Sequence, residues 1–160
     1  PLRVASAEES HRASVRPQSV SSVAEEVGLP KLHGARVLVL DDEPDARQIL
    51  RRLIMSGGGV PELASTVQEA ETLIGEFQPD VIVSDIGMPG TDGYAFMRTI
   101  RRQGVAIPAV ALTAFARAED RIRSIQAGFQ FHLSKPIEPV ELMTVIASLS
   151  GRLGTAPAAV

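Results

Sequence analysis

The 160-residue sequence contains no cysteine, no excess of basic residues and no apolar run long enough to cross a membrane. Without cysteine the chain cannot form disulfide bonds or thiolate zinc sites, and it has no cysteine nucleophile. The net charge of −3 argues against a basic surface for nucleic acid or anionic lipid. The longest apolar run, residues 107–116, is interrupted by Pro108 and Thr113 and is shorter than the ~20 residues of a membrane span. We therefore expect a globular protein with no nucleic-acid partner and no direct membrane contact in this segment.

Composition divides the chain into three segments. Residues 1–33 hold six serines and no sustained hydrophobic period, so they cannot bury enough apolar area to offset the entropy of ordering, and we predict a flexible linker. Residues 34–151 have the regular patterning of one folded domain. Residues 152–160 are rich in Gly, Ala and Pro, and we predict a loose tail.

Five short apolar segments alternate with five amphipathic ones in residues 34–151. The predicted strands cover residues 36–40, 60–64, 80–85, 107–112 and 129–133. The predicted helices cover residues 45–55, 66–77, 94–103, 118–127 and 140–149. In the first helix an apolar stripe is predicted to face the core; it consists of Ile49, Leu50, Leu53 and Ile54. The alternation indicates an α/β fold with a doubly wound, five-stranded parallel sheet covered by helices on both faces.

Polar side chains follow four of the five predicted strands, at the carboxyl end where such sheets bind ligands. They are Asp41 and Asp42, Asp85, Thr113, and Lys135. Three close carboxylates repel one another unless a cation joins them, and ligands that are all oxygen favour Mg²⁺. A carboxylate is also a competent nucleophile toward a phosphoryl group, whose charge the metal, an ammonium and a hydroxyl can neutralise. The sequence therefore predicts a site for phosphoryl transfer.

The segments VLVLDDEP, VIVSDIGMPGTDGY, LTA and HLSKP occur in this order, and with them residues 35 to about 150 resemble a response-regulator receiver domain of two-component signalling. The resemblance implies a flavodoxin-like (βα)5 fold with strand order 2-1-3-4-5. It implies that Asp85 is the phosphoacceptor and that the cofactor is Mg²⁺. Asp42 would bind the metal directly, Asp41 often through water, and the Gly87 backbone carbonyl would complete the protein's ligands.

The same resemblance assigns three further roles. Thr113 is similar to the switch hydroxyl, Lys135 to the lysine that pairs with the phosphoryl group, and the peptide bond before Pro136 to one that is cis in this family. His132 stands where the family has a switch Tyr or Phe. Two interpretations of His132 stay open, a partly exposed packing residue or a protonation-sensitive switch. Strand five also has an unusually apolar start, Phe129-Gln130-Phe131, and we expect Phe115 to shield the acyl phosphate and slow self-dephosphorylation.

The resemblance implies a cytoplasmic receiver, and we expect a monomer, that takes its phosphoryl group from a histidine kinase or a histidine phosphotransfer protein and is not a turnover enzyme. Two alternatives differ in class. A haloacid-dehalogenase-like phosphatase also uses a strand-end Asp with Mg²⁺, but it needs a second Asp at the position of Gly87. A receiver-like module that is never phosphorylated is disfavoured by the complete set of acids and lysine.

The parent chain is a separate question. The sequence begins at Pro1 rather than Met, and PLRVA at its start resembles the last strand of a histidine-kinase ATP-binding domain. The segments IGMPGTDGY and FQFHLSKPIEPVEL are similar to receivers attached to hybrid sensor histidine kinases. We therefore expect the C-terminal receiver of a hybrid kinase, whose parent protein could be membrane-associated, with a stand-alone single-domain regulator as the alternative.

Overall fold

The computed structural model describes residues 29–88, 92–114 and 117–151. Strands and helices alternate through these ranges. In chain order they are β1 (Arg36–Leu40), α1 (Pro44–Ser56), β2 (Val60–Ala64), α2 (Val67–Phe77), β3 (Val81–Asp85), α3 (Gly93–Arg102), β4 (Ala109–Thr113), α4 (Ala118–Ala127), β5 (Phe131–Ser134) and α5 (Pro139–Leu149). All strand pairs are parallel, and the sheet order is β2-β1-β3-β4-β5. The predicted fold class and strand order are confirmed.

The sheet buries a separate core on each face. Successive strand residues point to opposite faces, so Val37 and Val39 join the core under α1 and α5, while Leu38 and Leu40 join the core under α2, α3 and α4. Every residue of β3 and of β4 is buried. Burial on both faces explains why these two strands read as continuous apolar runs, and it fixes the ends of β3 and β4 where the predicted site lies.

Helix α1 starts and stops where its sequence signals stand, but one predicted core residue is wrong. Pro44 occupies the first turn, and Gly57 ends the helix with its N–H on the carbonyls of Leu53 and Ile54. Ile49 is 57% exposed, whereas Leu50, Leu53 and Ile54 are buried. At ~100° per residue, Ile49 lies about 90° from the centre of that buried stripe, so it falls at its edge.

Two strands begin two residues later than predicted. Strand β4 begins at Ala109 rather than at residue 107, since Pro108 has no N–H to donate and contributes only its carbonyl, which accepts from Ile82. Strand β5 begins at Phe131 rather than at residue 129. Gly128 ends α4 in the left-handed conformation, with a φ of 118°, and the N–H of Phe129 then closes the helix on the carbonyl of Ser124.

The packed structure also starts before residue 34, inside the segment predicted as linker. Leu32 is fully buried and Leu29 nearly so, and both belong to the core of α1 and α5. The Leu32 N–H donates to the Gly57 carbonyl over 2.7 Å, and a Cβ on Gly59 would come within 2.8 Å of the Leu32 side chain. The composition of residues 1–33 hid this, because two leucines alone produce no period. The remainder of the predicted linker, residues 1–28, and the predicted tail lie outside the described residues.

None of the helices in the described ranges combines the length and apolar character that a membrane span requires.

Candidate functional site

The carboxyl ends of β1, β3, β4 and β5 meet around one cavity of about 500 Å³. Most of the site residues predicted from the sequence line it; they are Asp42, Asp85, Gly87, Thr113 and Lys135. Strands β1 and β3 are neighbours in the sheet, as are β3 and β4, so the parallel arrangement alone delivers these side chains to one edge. The structure therefore brings together residues that are 93 positions apart at most, from Asp42 to Lys135.

Three aspartates form the acidic part of the site. Each aspartate contributes one carboxylate oxygen to a cluster, and these three oxygens lie within 4.8 Å of one another. The residues are Asp41, Asp42 and Asp85. Asp41 and Asp85 are buried, and Asp42 is exposed. Oδ1 of Asp41 accepts the Glu43 N–H at 2.9 Å, whereas its Oδ2 is buried without a hydrogen-bond partner. The three residues offer only oxygen atoms as ligands, and one of these oxygens is buried without a hydrogen bond. Such a set of ligands fits a hard divalent cation such as Mg²⁺.

The electrostatics of Asp41 point the same way. Burial raises the pKa of Asp41 above its usual value, the Glu43 N–H lowers it, and repulsion from Asp85 raises it further. Lys135 offsets part of this cost, with Nζ 3.7 Å from Asp41 and 3.3 Å from Asp85. A single ammonium thus serves two buried carboxylates, and the cluster retains an excess of negative charge that a cation would neutralise.

Asp85 is held by its backbone and by two donors. It is the last residue of β3, and its Oδ1 accepts from the Gly87 N–H and from Lys135 Nζ, each at 3.3 Å. Gly93 at the start of α3 lies against its carbonyl so closely that a Cβ there would come within 2.5 Å. The glycine therefore lets α3 begin directly beside the acceptor. Asp92 caps α3 by accepting the Ala95 N–H at 2.7 Å.

Thr113 and Lys135 are joined through the backbone. The Lys135 N–H donates to the Thr113 carbonyl at 2.8 Å, next to the β4–β5 ladder in which Thr113 pairs with Ser134. The Thr113 side chain is buried at the cavity wall. The peptide bond between Lys135 and Pro136 is cis, the isomer that the sequence resemblance implies.

His132 lies apart from the other predicted residues. It is half-buried in β5 and does not line the cavity. Its Nε2 is buried without a hydrogen-bond partner. Burial lowers the pKa of His132, and the positive charge of Arg121 lowers it further, against a smaller opposing effect of Asp120. Phe115, expected to shield the acyl phosphate, lies outside the described residues.

Among the cavity residues that the sequence did not predict are Tyr94, Asp120 and Arg123, which complete the wall on the side of α4. The Tyr94 hydroxyl donates to the Asp120 carbonyl at 3.3 Å, and the Arg123 guanidinium lies 4.7 Å from the centre of the Tyr94 ring. Asp120 and Arg123 are three apart on one helix, which places them on one side, but only the fold shows that this side closes over the site.

A second, apolar groove of about 510 Å³ adjoins the site on the side of α1. Its apolar lining includes Ile49, Leu53, Pro136, Ile137 and Pro139. Glu43 and Lys135 line both the groove and the acidic cavity, so the two openings adjoin each other at these two residues. The exposed position of Ile49, which the sequence placed in the core, is explained by the fact that it forms the rim of this groove.

Comparison with known proteins agrees with this geometry. Residues 37–147 match the family model described as the response regulator receiver domain. A protein of Leptolyngbya boryana described as an uncharacterized 14.6 kDa protein in the sodA1 3′ region is 38% identical over 112 residues, which cover 69% of this chain and 86% of that protein. The response regulator Rre1 of Synechocystis is 34% identical over 119 residues, which cover 72% of this chain and 52% of the relative, so the chain spans about half the length of that protein.

Solved structures show the same fold. The receiver domain of the Francisella response regulator 1452 superposes with a TM-score of 0.71 at 30% identity, covering 74% of this chain and 98% of that one. The chemotaxis protein CheY4 of Vibrio cholerae gives a TM-score of 0.69 at 28% identity, covering 72% and 98%. The family model covers well over half of the chain, and the chemotaxis protein and the Francisella receiver domain share its fold. This chain belongs to the response-regulator receiver-domain family.

Proposed function

We propose that Asp85 accepts a phosphoryl group from a phosphohistidine on a partner protein and that the resulting acyl phosphate shifts the conformation of the domain. The observation that carries this proposal is the placement of Asp85 at 3.3 Å from Lys135 Nζ, beside two further aspartates and the Thr113 hydroxyl. In the transfer a carboxylate oxygen of Asp85 forms a bond to phosphorus as the phosphorus–nitrogen bond breaks, and the imidazole nitrogen leaves. No general base is needed, because a carboxylate nucleophile has no proton to lose in the step.

The other residues of the site would neutralise the negative charge of the phosphoryl group. In this proposal the amino group of Lys135 and the hydroxyl of Thr113 donate to oxygens of the phosphoryl group on Asp85. Asp41, Asp42, Asp85 and the Gly87 carbonyl would hold Mg²⁺, which when bound supplies positive charge to the transferring group. Support for this ligand set comes from Oδ2 of Asp41, which is buried without a hydrogen bond and has only the Lys135 ammonium at 3.7 Å, and from the raised pKa of the Asp41 carboxyl.

The apolar groove supports a protein rather than a small molecule as the physiological donor. It opens directly beside Lys135, and its rim residue Ile49 is 57% exposed. An apolar side chain of the phosphohistidine-bearing partner inserted there would place the partner over the acidic cavity and fix the approach to Asp85. We therefore assign the groove, between α1 and the start of α5, to the docking of a histidine kinase or a histidine phosphotransfer protein.

Labelling with radioactive acetyl phosphate in the presence of Mg²⁺ tests the acceptor. Asp85→Asn is expected to lose the label, because the amide is not a nucleophile, while its circular dichroism spectrum stays that of the wild type. Asp92→Asn is the matched control: it lies on the wall of the same cavity, keeps an oxygen for the α3 cap, and should be labelled normally. Labelling of Asp85→Asn at the wild-type level would contradict the proposal, and rapid hydrolysis of a generic phosphomonoester would favour the phosphatase alternative.

Transfer from a protein donor tests the groove. Ile49→Glu introduces a charge at an exposed position, so the fold survives, but the apolar contact with the partner is lost. We expect transfer from the cognate phosphorylated kinase to slow about tenfold or more, which corresponds to ~1.4 kcal/mol, while labelling by acetyl phosphate is unchanged. Ile122→Glu on α4 is an equally exposed control, at 55% against 57%, and should leave both reactions unchanged. If Ile49→Glu and the wild type receive the phosphoryl group from the kinase at equal rates, the groove is not the docking site of the donor.

The parent protein is also a matter of proposal. We infer a cytoplasmic receiver of a hybrid sensor histidine kinase, supported by the likeness of the segments IGMPGTDGY and FQFHLSKPIEPVEL to such receivers. A stand-alone single-domain regulator is the alternative, and the match to the Leptolyngbya boryana protein, which covers 86% of that relative, favours it. Sequencing the gene and its transcript distinguishes the two, since a kinase core encoded upstream in the same reading frame establishes the hybrid and its absence establishes the regulator.

A further inference from the structure

Two buried side-chain atoms in the described part of the chain have no hydrogen-bond partner, Oδ2 of Asp41 and Nε2 of His132. Buried polar atoms are normally satisfied, so each calls for an explanation. The metal proposed above accounts for Asp41. His132 lies outside the acidic cavity, and nothing in the phosphoryl-transfer chemistry accounts for it.

The position of His132 in the sheet directs its ring toward α4. Its neighbour Leu133 belongs to the core under α1 and α5, and alternation along the strand turns His132 to the opposite face. There its register partner on β4 is Ala111, which belongs to the core under α2, α3 and α4. Thr113 is two residues beyond Ala111 and therefore on the same face of β4.

The charged groups that act on the imidazole come from α4. Burial, the largest effect, and the charge of Arg121 disfavour a positive charge on the ring, and Asp120 and the residue's own backbone favour it more weakly. The neighbour on β4 is an alanine and offers no compensating charge. The neutral ring can therefore remain between β5 and α4, whereas the protonated ring would have a buried N–H without an acceptor, close to a guanidinium.

We infer that His132 is a pH-sensitive element of the α4–β5 face: the neutral imidazole lies inward beneath α4, and protonation turns it outward and shifts α4 away from β5. The inference deepens the proposed function and rests on it in one respect, that phosphorylation acts on the same helix. Thr113 ends β4, and four residues separate it from the start of α4 at Ala118. A movement of Thr113 toward Asp85 and a movement of His132 would therefore both change the position of α4. Phosphorylation and protonation can be coupled if both shift the equilibrium between two positions of the same element.

The sign of the effect on stability is fixed by the direction of the pKa shift. The folded state lowers the pKa of His132 below its ordinary value of 6.5, so the unfolded chain binds the proton more tightly. The stability that depends on a neutral His132 is complete above pH 6.5 and is lost as the pH falls from there through the lower, folded-state pKa. Lowering the pH therefore destabilises the inward position of the His132 ring, and we expect α4 to move in response.

Nuclear magnetic resonance of the unphosphorylated protein between about pH 7.5 and about pH 5.5 tests the inference. We expect the His132 ring to titrate below the ordinary imidazole value of 6.5, and the amide signals of α4 to shift with the midpoint of His132. His132→Phe should abolish the α4 shift, since its ring cannot be protonated, and His132→Gln should do the same if the phenylalanine variant does not fold. His33→Gln is the control and should keep the full shift.

Persistence of the α4 shift in His132→Phe or in His132→Gln would overturn the inference, as would titration of His132 without any response of α4. The failure of the proposed function would look different. A second titration with acetyl phosphate and Mg²⁺, in which the phosphorylated fraction is measured directly, shows whether Asp85 is labelled at all. A labelled protein whose α4 response to phosphorylation has the same pH dependence in the wild type and in His132→Phe contradicts the role of His132 alone.

Discussion

Replacing Asp41 by asparagine should stabilise the metal-free protein and make it nearly insensitive to Mg²⁺. The carboxylate is 1% exposed, and its Oδ2 has no hydrogen-bond partner. Asparagine has the same shape and keeps an oxygen for the Glu43 N–H, but it removes the buried charge. The substitution therefore isolates the electrostatic cost that the metal site imposes on the empty domain.

The magnitude follows from the distances. With an effective dielectric constant of ~20, the attraction between Asp41 and Lys135 at 3.7 Å is about 4.5 kcal/mol. Repulsion from buried Asp85 at 4.8 Å or less is about 3.5 kcal/mol or more, and water screens the repulsion from exposed Asp42. Attraction and repulsion therefore largely cancel, and burial, the largest effect on the Asp41 carboxyl, decides the sign, so we expect Asp41→Asn to raise the free energy of unfolding by on the order of 1 kcal/mol.

Urea unfolding with EDTA and with excess Mg²⁺ measures both effects. The wild type should gain about 2.7 kcal/mol when Mg²⁺ is at ~100 times its dissociation constant, and Asp41→Asn should gain much less. Asp45→Asn, an exposed acid in the first turn of α1, is the matched control and should lose about 0.3–1 kcal/mol with the Mg²⁺ response intact. A metal-free Asp41→Asn protein less stable than the wild type, or an equal gain from Mg²⁺ in both, would refute the reasoning.

Two further predictions concern the start of the domain and the turn after α1. Leu32→Ala should lower the free energy of unfolding by about 2–5 kcal/mol, as expected for a fully buried leucine, and a change below ~0.5 kcal/mol in urea unfolding would place residues 29–33 outside the folded unit. Gly59→Ala should destabilise by about 1–3 kcal/mol, because the new Cβ would lie 2.7 Å from the Ile54 side chain and 2.8 Å from that of Leu32. Gly75→Ala, where a Cβ meets nothing within 4 Å, should instead stabilise by up to ~1 kcal/mol, and equal effects of the two glycine substitutions would contradict the packing described for the turn.

The sequence was sufficient for the fold and for the acidic site because both depend on local signals. Strand β3 opens with three consecutive apolar residues and ends on Asp85, and parallel strands bring their carboxyl ends to one edge whatever the detailed packing. Helix α1 has its proline at the start and its glycines at the end. Such features are written in a few consecutive residues, so a single sequence shows them.

The features that were missed depend on contacts between distant segments. Leu32 carries no pattern of its own, and its burial is visible only when the turn at Gly57 and Gly59 is folded against it. Tyr94 and Arg123 form part of the cavity wall because α4 packs beside α3, which no local motif encodes. The start of β5 was misplaced for a related reason, since the Phe129 N–H is used to end α4 instead of extending the strand.

The central claim is that Asp85 is the phosphoacceptor, and the most direct test is to locate the phosphoryl group. The protein is incubated with acetyl phosphate and Mg²⁺, the acyl phosphate is reduced with borohydride, and the digested peptides are sequenced by tandem mass spectrometry. We expect the reduced, alcohol-bearing residue at Asp85 and unmodified aspartates at Asp41 and Asp42. Modification at either of those positions with Asp85 intact, or no modified aspartate in a protein that binds Mg²⁺, would contradict the account.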